Sequence, residues 1–150
     1  MAIARGAGTE IIRSAHFDDI DSTVTDLIFG EQHHIYTVLS IILHIDSWWA
    51  TNNYFKLQLV GYDSRGGTSG ATIVIDKRDM IIGETFVWND KFSFNGCEPT
   101  NFTGPMDDAT KQNAIADQGE DTKPQKLQIV TEDAQDAAHI HITYIDQNNE

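Results

Sequence analysis

Two histidines stand two residues apart, His139 and His141, and their type and spacing are the nearest the chain comes to a reactive constellation. The stretch His139–Ile145 alternates polar and apolar residues as a strand does, so both imidazoles project from one face. Neutral imidazole suits borderline divalent metals, and a His-x-His pair on a strand is half of such a site. His44, in the strand pattern Ile35–Ile45, is a third candidate ligand, and His33 is an alternative. No Glu lies behind the pair at ligand spacing. The expectation is therefore that no metal is bound, with His139, His141 and His44 as the candidates for one.

Other chemistries find less. Cys97 is the one cysteine, which excludes an intrachain disulfide and a Cys-based zinc site. It follows Asn95-Gly96 with no histidine near it in sequence, and no Gly-x-Ser-x-Gly elbow exists, so nucleophilic catalysis has no motif. Asp18, Asp19, Asp21 and Asp26 lack the glycine and bidentate Glu spacing of a calcium loop and read as a solvated acidic loop. Asp63–Gly70 is rich in Gly and Ser, but no Gly-Lys-Ser/Thr ending follows it, so it reads as a flexible loop. The sequon Asn101-Phe102-Thr103 matters only in a secreted glycoprotein. The expectation is a protein that is not an enzyme, with no catalytic residue and no cofactor.

The elements that would position these residues are strands. Ile35–Ile45 is the most apolar run, rich in β-branched residues, and reads as a central strand buried on both faces. Tyr54–Tyr62 alternates, with Phe55, Leu57 and Leu59 on one face, and is expected to pair with the central strand through a turn holding Trp48 and Trp49. Shorter strands are expected at Thr23–Phe29, Ala71–Asp76, Met80–Trp88, Lys91–Phe94, Lys126–Val130 and His139–Ile145. Lys77-Arg78-Asp79 reads as a charged turn, and Phe86–Phe94 as an aromatic hairpin opposite the central strand. Cys97–Pro124 is polar and lacks strand alternation; Pro105, Asp107-Asp108 and Gly119 suggest a short helix or a long surface loop. The predicted architecture is all-β: an antiparallel β-sandwich, jelly-roll-like, of about seven to nine strands. Residues 1–13 are expected to form an extended N-terminal arm, weakly strand-like from Glu10, and residues 14–150 a single domain.

Charge narrows the partners. Ten Lys and Arg face 23 Asp and Glu, a formal net charge of −13 over 150 residues, and the basic residues are dispersed. Such a chain repels phosphate backbones, so nucleic acid is not an expected partner. No apolar run is long enough to cross a membrane as a helix, and the N-terminal stretch lacks the apolar centre of a secretory signal.

The order of strands and turns resembles small β-sandwich virion structural proteins of tailed bacteriophages. A lead-in strand precedes Ile35–Ile45, and Phe55–Gly61 runs into a Gly/Ser-rich loop. The step Ile81-Ile82-Gly83-Glu84-Thr85-Phe86-Val87 follows, then Lys91–Phe94, and a last strand, Ile140–Ile145. Phe86–Gly96 and Ile142–Asn149 are similar to structural proteins of marine phages. The pattern spans residues 20–96 and 126–146; Cys97–Pro124 departs from the simpler members. The resemblance implies a capsid-decoration, neck or tail subunit that binds other virion proteins, forms a homo-oligomer (trimer or hexamer), and is made in the host cytoplasm before joining the virion. Expected contact residues are Arg5 and Ile11 on the arm, Trp48 and Trp49 in the turn, and Phe102 and Met106 in the excursion. Two other readings stay open: a carbohydrate- or receptor-binding module with Trp48, Trp49 or Tyr54 as stacking residues, and a cupin-like metal-binding enzyme using the histidine pair.

Overall fold

A computed structural model of the chain describes residues 9–18, 20, 23–47, 53–61, 70–98, 123–132 and 137–148. Among the described residues nine strands follow one another: β1 (Thr9–Phe17), β2 (Val24–Phe29), β3 (His34–Ser47), β4 (Asn53–Val60), β5 (Thr72–Met80), β6 (Thr85–Trp88), β7 (Phe92–Asn95), β8 (Lys126–Thr131) and β9 (Ala137–Asn148). They form two antiparallel sheets. The first has the order β1-β9-β3-β6, with β7 also paired to β3; the second has the order β2-β8-β4-β5. If β6 and β7 count as two halves of one edge strand, this is the eight-strand order of a jelly roll.

The inner faces supply the core. Ile41, Leu43, Ile45, Val38, Ile140 and Ile142 of the first sheet meet Phe55, Leu57, Leu127 and Ile129 of the second, all at 2% exposure or less. Each such side chain contributes about 1.5–3 kcal/mol of transfer free energy on burial. Aromatic rings fill the edge: Phe86 reaches Phe55 across the sandwich at 5.2 Å between ring centres, and Tyr36 packs on Phe94 at 5.4 Å.

The central strand differs from its sequence reading in a way one residue explains. Tyr36 and Val38 are buried, then Ile41, Leu43 and Ile45. The inward phase passes from even to odd numbers because the register skips between Val38 and Ser40, where Leu39 is an extra residue in a β-bulge. The strand buries one face throughout, and the bulge makes it look apolar on both. The same bulge divides its far edge: β7 pairs with Ile35–Val38 and β6 with Ile41–His44.

Three pairings correct the expectations. β4 does not pair with β3; it lies in the opposite sheet between β8 and β5, and the partner of β3 is β9. β6 and β7 are not a hairpin opposite β3 but share its sheet, each paired to it. Lys77-Arg78-Asp79 is no turn, because β5 continues to Met80. The charged residues fit a strand because their stems lie over rings: Lys77 Nζ stands 4.3 Å from the Tyr54 ring centre and the Arg78 guanidinium 4.3 Å from that of Phe86, while Arg78 Nε donates to Asp76 at 2.9 Å. That run of charges also guards the β5 edge against pairing with another chain.

The N-terminal segment is sheet from Thr9, paired along its length with β9 from Asn148 to Ile140, so the sheet includes residues 9–13 of the expected arm. The ends of the 97–124 excursion are pinned together: Cys97 bridges Pro124, and the Glu98 amide donates to the Lys123 carbonyl at 2.9 Å. Its expected helix or loop lies outside the described residues.

The turn that enters β3 holds His33 at φ 69°, the one described non-glycine residue in the left-handed region, and its Nδ1 is buried without a partner. That conformation costs about 1–2 kcal/mol for a residue with a Cβ. Glycine would give back about 0.5–1 kcal/mol in chain entropy. His33→Gly is therefore expected to raise the unfolding free energy by about 0.5–1 kcal/mol, measured by chemical denaturation.

Candidate functional site

Strand register decides what shares a face. Across the outer side of the first sheet, His16 of β1 lies opposite His141 of β9, which lies opposite Ile42 of β3 and then Val87 of β6. The adjoining row is His139, His44 and Thr85. Toward the other end come Ser14, Thr143 and Ser40; then Ile12, Ile145, Thr37 and Ser93; then Glu10, Gln147, Ile35 and Asn95. Among these outward positions Glu10 is the one carboxylate, and there is no lysine or arginine. In a chain of net charge −13, these paired rows are thus nearly uncharged, and Asp18 and Asp46 stand at their histidine end. It exposes apolar side chains as well: Ile12 at 69%, Val87 at 48% and Ile42 at 39%. Hydroxyls lie between them, with Thr37 Oγ1 2.8 Å from Ser93 Oγ.

The outer face of the second sheet is chemically different. Lys56 and Lys77 stand directly opposite each other, and Lys126 pairs with Val60 and Phe29. The ring of Tyr54 is approached by Lys56 Nζ at 5.7 Å and Lys77 Nζ at 4.3 Å, and Lys126 Nζ lies 4.8 Å from the Phe29 ring centre. Gln58 donates to Gln128 at 2.8 Å, and Gln128 donates to Asp26 at 2.7 Å. Like charges facing each other across a ladder repel, and the aromatic rings between them offset part of that.

The histidines gather at one end of the uncharged face. His139 and His141 project outward from β9, as their spacing requires. The register adds His44 and also His16, which sequence spacing could not have placed beside them. Ring centres lie 6.3 Å apart for His16 and His139, and 6.5 Å apart for both His16–His141 and His44–His139. His139 Nδ1 meets Asp18 Oδ1 at 2.5 Å, and its Nε2 lies 3.9 Å from Asp46 Oδ2. His44 Nδ1 shares a 2.8 Å hydrogen bond with Thr85 Oγ1. His33 is no part of this group: eleven residues of extended strand, about 36 Å, separate it from His44.

A second polar group closes the opposite end of the sandwich on its inner side. Asp146, 3% exposed, accepts from Arg13 Nε at 2.8 Å and meets His34 Nδ1 at 2.6 Å. Asp146 and Arg13, with Glu31, Tyr36 and Tyr144, line a cleft of about 170 Å³. The Tyr36 hydroxyl accepts from the Glu31 amide at 3.1 Å. Burial pushes the Tyr36 phenol well above its ordinary range, and the Tyr144 phenol is raised for the same reason. A raised phenol pKa favours the neutral folded form. Its stabilising effect is complete below the unfolded value near 10 and is lost as pH rises above it. Stability is expected to fall above about pH 10, and Tyr36→Phe should flatten that fall in denaturation curves recorded across pH.

The expected contact residues divide. Ile11 is half-buried on the inner side of β1, opposite Asp146, and its neighbour Ile12 is the exposed one. Arg5, Trp48, Trp49, Phe102 and Met106 lie outside the described residues. Cys97 is buried at 3%, and its backbone forms the β-bridge to Pro124. Asp18 and Asp26 part ways, one toward His139 and the other onto the opposite sheet.

No protein-family model matches the chain, and no characterised protein sequence matches it. Solved structures similar in shape include the following three. A pilus subunit of Bacillus endospore appendages is 13% identical, with 100% of this chain and 97% of that one covered, at a TM-score of 0.43. The C-terminal family 22 carbohydrate-binding module of Clostridium thermocellum Xyn10B is 10% identical over 95% and 83%, at 0.41. A chain of infectious bursal disease virus, Gx strain, is 10% identical over 93% of this chain and 29% of its own length, at 0.37. At these scores the likenesses decide nothing about ligand or partner. Among the described residues no helix is long and apolar enough to cross a membrane.

Proposed function

We propose that this chain is a non-enzymatic structural subunit of a bacteriophage virion, in a capsid-decoration, neck or tail position. It assembles on other virion proteins through the outer face of the β1-β9-β3-β6 sheet. The observation that carries this is the near absence of charge from the paired rows of that face in a strongly acidic chain, Glu10 being their one carboxylate, with Asp18 and Asp46 at the histidine end. Charged residues are depleted where protein surfaces meet, because each buried charge loses its hydration. Isoleucine, valine, serine and threonine lose little when covered.

The bacteriophage setting rests on the resemblance of Ile81–Gly96 and Ile142–Asn149 to such proteins. The partners are proteins of the particle lattice, and weak contacts repeated around a symmetric particle add to a stable attachment. A stacking role for Tyr54 on carbohydrate gains no support from its surroundings, since Lys56 and Lys77 occupy the ring. The test is to add the purified chain to particles assembled without it. Saturable binding at a number of copies set by the particle's symmetry is expected. Absence of binding, together with binding to a glycan, would overturn the reading in favour of a carbohydrate module.

A further inference from the structure

We infer that His16, Asp18 and His139 form a binding site for one divalent transition-metal ion of borderline softness, such as zinc. One ligand atom from each lies within 4.8 Å of the others. Three donors around one tetrahedral ion at about 2.0–2.2 Å sit roughly 3.3–3.5 Å apart. The required adjustment is therefore about an ångström, within the rotamer freedom of side chains at an open surface. His16 and Asp18 are exposed and His139 is half-buried.

The backbone does most of the positioning. Antiparallel register sets His16 opposite His141, one row from His139, and Asp18 follows directly on the end of β1. Asp18 already holds His139 through Nδ1, and Asp46 stands on the Nε2 side of the same ring. An ion on Nδ1 would leave the Nε2 proton directed at Asp46, the carboxylate–histidine–metal arrangement that fixes the ring and strengthens its donor atom. Two imidazole nitrogens and one carboxylate favour zinc, cobalt, nickel or copper and disfavour calcium and magnesium, which prefer all-oxygen sites. A water completes four-coordination. His44 and His141 flank the group, 6.5 Å from His139 and His16 respectively between ring centres. An ion bound here ties edge strand β1 to β9. The inference concerns the isolated chain and does not depend on the assembly reading.

The untagged full chain, stripped with a chelator, should be dialysed against Zn²⁺ and separately titrated with Co²⁺, whose visible absorption reports tetrahedral N/O ligation. One ion per chain is expected. His16→Ala, Asp18→Asn and His139→Ala should each weaken binding by at least about tenfold and abolish the cobalt spectrum. Asp46→Asn should weaken binding by less than these three, and Asp79→Asn, on an exposed residue of edge strand β5 in the other sheet, should leave it unchanged. Thermal unfolding of each apo variant confirms that the fold persists. A parent chain with no stoichiometric binding up to about 1 mM zinc would overturn the inference. So would equal affinity in the three ligand variants, which would place any bound ion elsewhere.

Discussion

Gly96→Ala is expected to lower the unfolding free energy by about 3–5 kcal/mol, the largest stability loss for the smallest change the chain offers. Gly96 is not needed for an unusual φ; it is needed because another backbone occupies the space of its side chain. A Cβ there would overlap the carbonyl of Glu31, and one on Gly30 would overlap the carbonyls of Gly96 and Gln125. The neighbours are main chain and cannot rotate away. Backing off would break the bonds that lock this end of the sandwich: Gly96 N to His34 O, Gln125 N to Gly96 O, and Gly30 N to Gln125 O, each 2.8 Å. Overpacking costs about 1–3 kcal/mol, and each hydrogen bond lost adds about 1. Gly83→Ala is the contrast. Its φ is 88° and open space surrounds it, so only the backbone cost of about 1–2 kcal/mol applies. Urea unfolding of the two variants should separate them clearly. Similar losses would mean that close backbone approach does not hold this end together.

Ile42→Lys should reduce attachment to the particle by roughly 10²–10⁴-fold. Ile42 sits in the middle of the uncharged face, between His141 and Val87, and is 39% exposed. Its replacement removes little from the core. If the face is covered in the assembly, the lysine becomes a buried charge without a partner, at a cost of about 3–5 kcal/mol, which is that fold-change in affinity. Lys56→Glu, a larger change of charge on the opposite sheet, should leave attachment unaltered. Equal effects from the two would point to overall charge rather than to one face. Sedimentation of each variant with particles measures the difference.

The strands were legible because alternation is a local property. Phe55, Leu57, Leu127 and Ile129 read as inward-facing and are. Pairing was not legible, because the chain passes between sheets: β3 ends in one and β4 starts in the other, and only β4 and β5 are neighbours in both chain and sheet. The expected hairpin through the Trp turn rested on adjacency in sequence, and a jelly roll separates adjacent strands. Leu39 hid the phase of the central strand, since a bulge residue carries no compositional mark here. The candidate site divides along the same line. His139 and His141 followed from spacing alone. His16 joined them only through the register of β1 on β9, which lie at opposite ends of the chain. The uncharged face was equally invisible, since its rows are assembled from segments more than a hundred residues apart.

The most direct test of the assembly account is chemical footprinting of the free chain and of the same chain in the assembled virion. Diethyl pyrocarbonate modifies accessible imidazoles, and acetylation modifies accessible amines. His16, His44, His139 and His141 mark the outer face of the first sheet, and Lys56, Lys77 and Lys126 mark that of the second. The account predicts that assembly protects the four histidines and leaves the three lysines as reactive as in the free chain. Protection of the lysines with the histidines still reactive would contradict it.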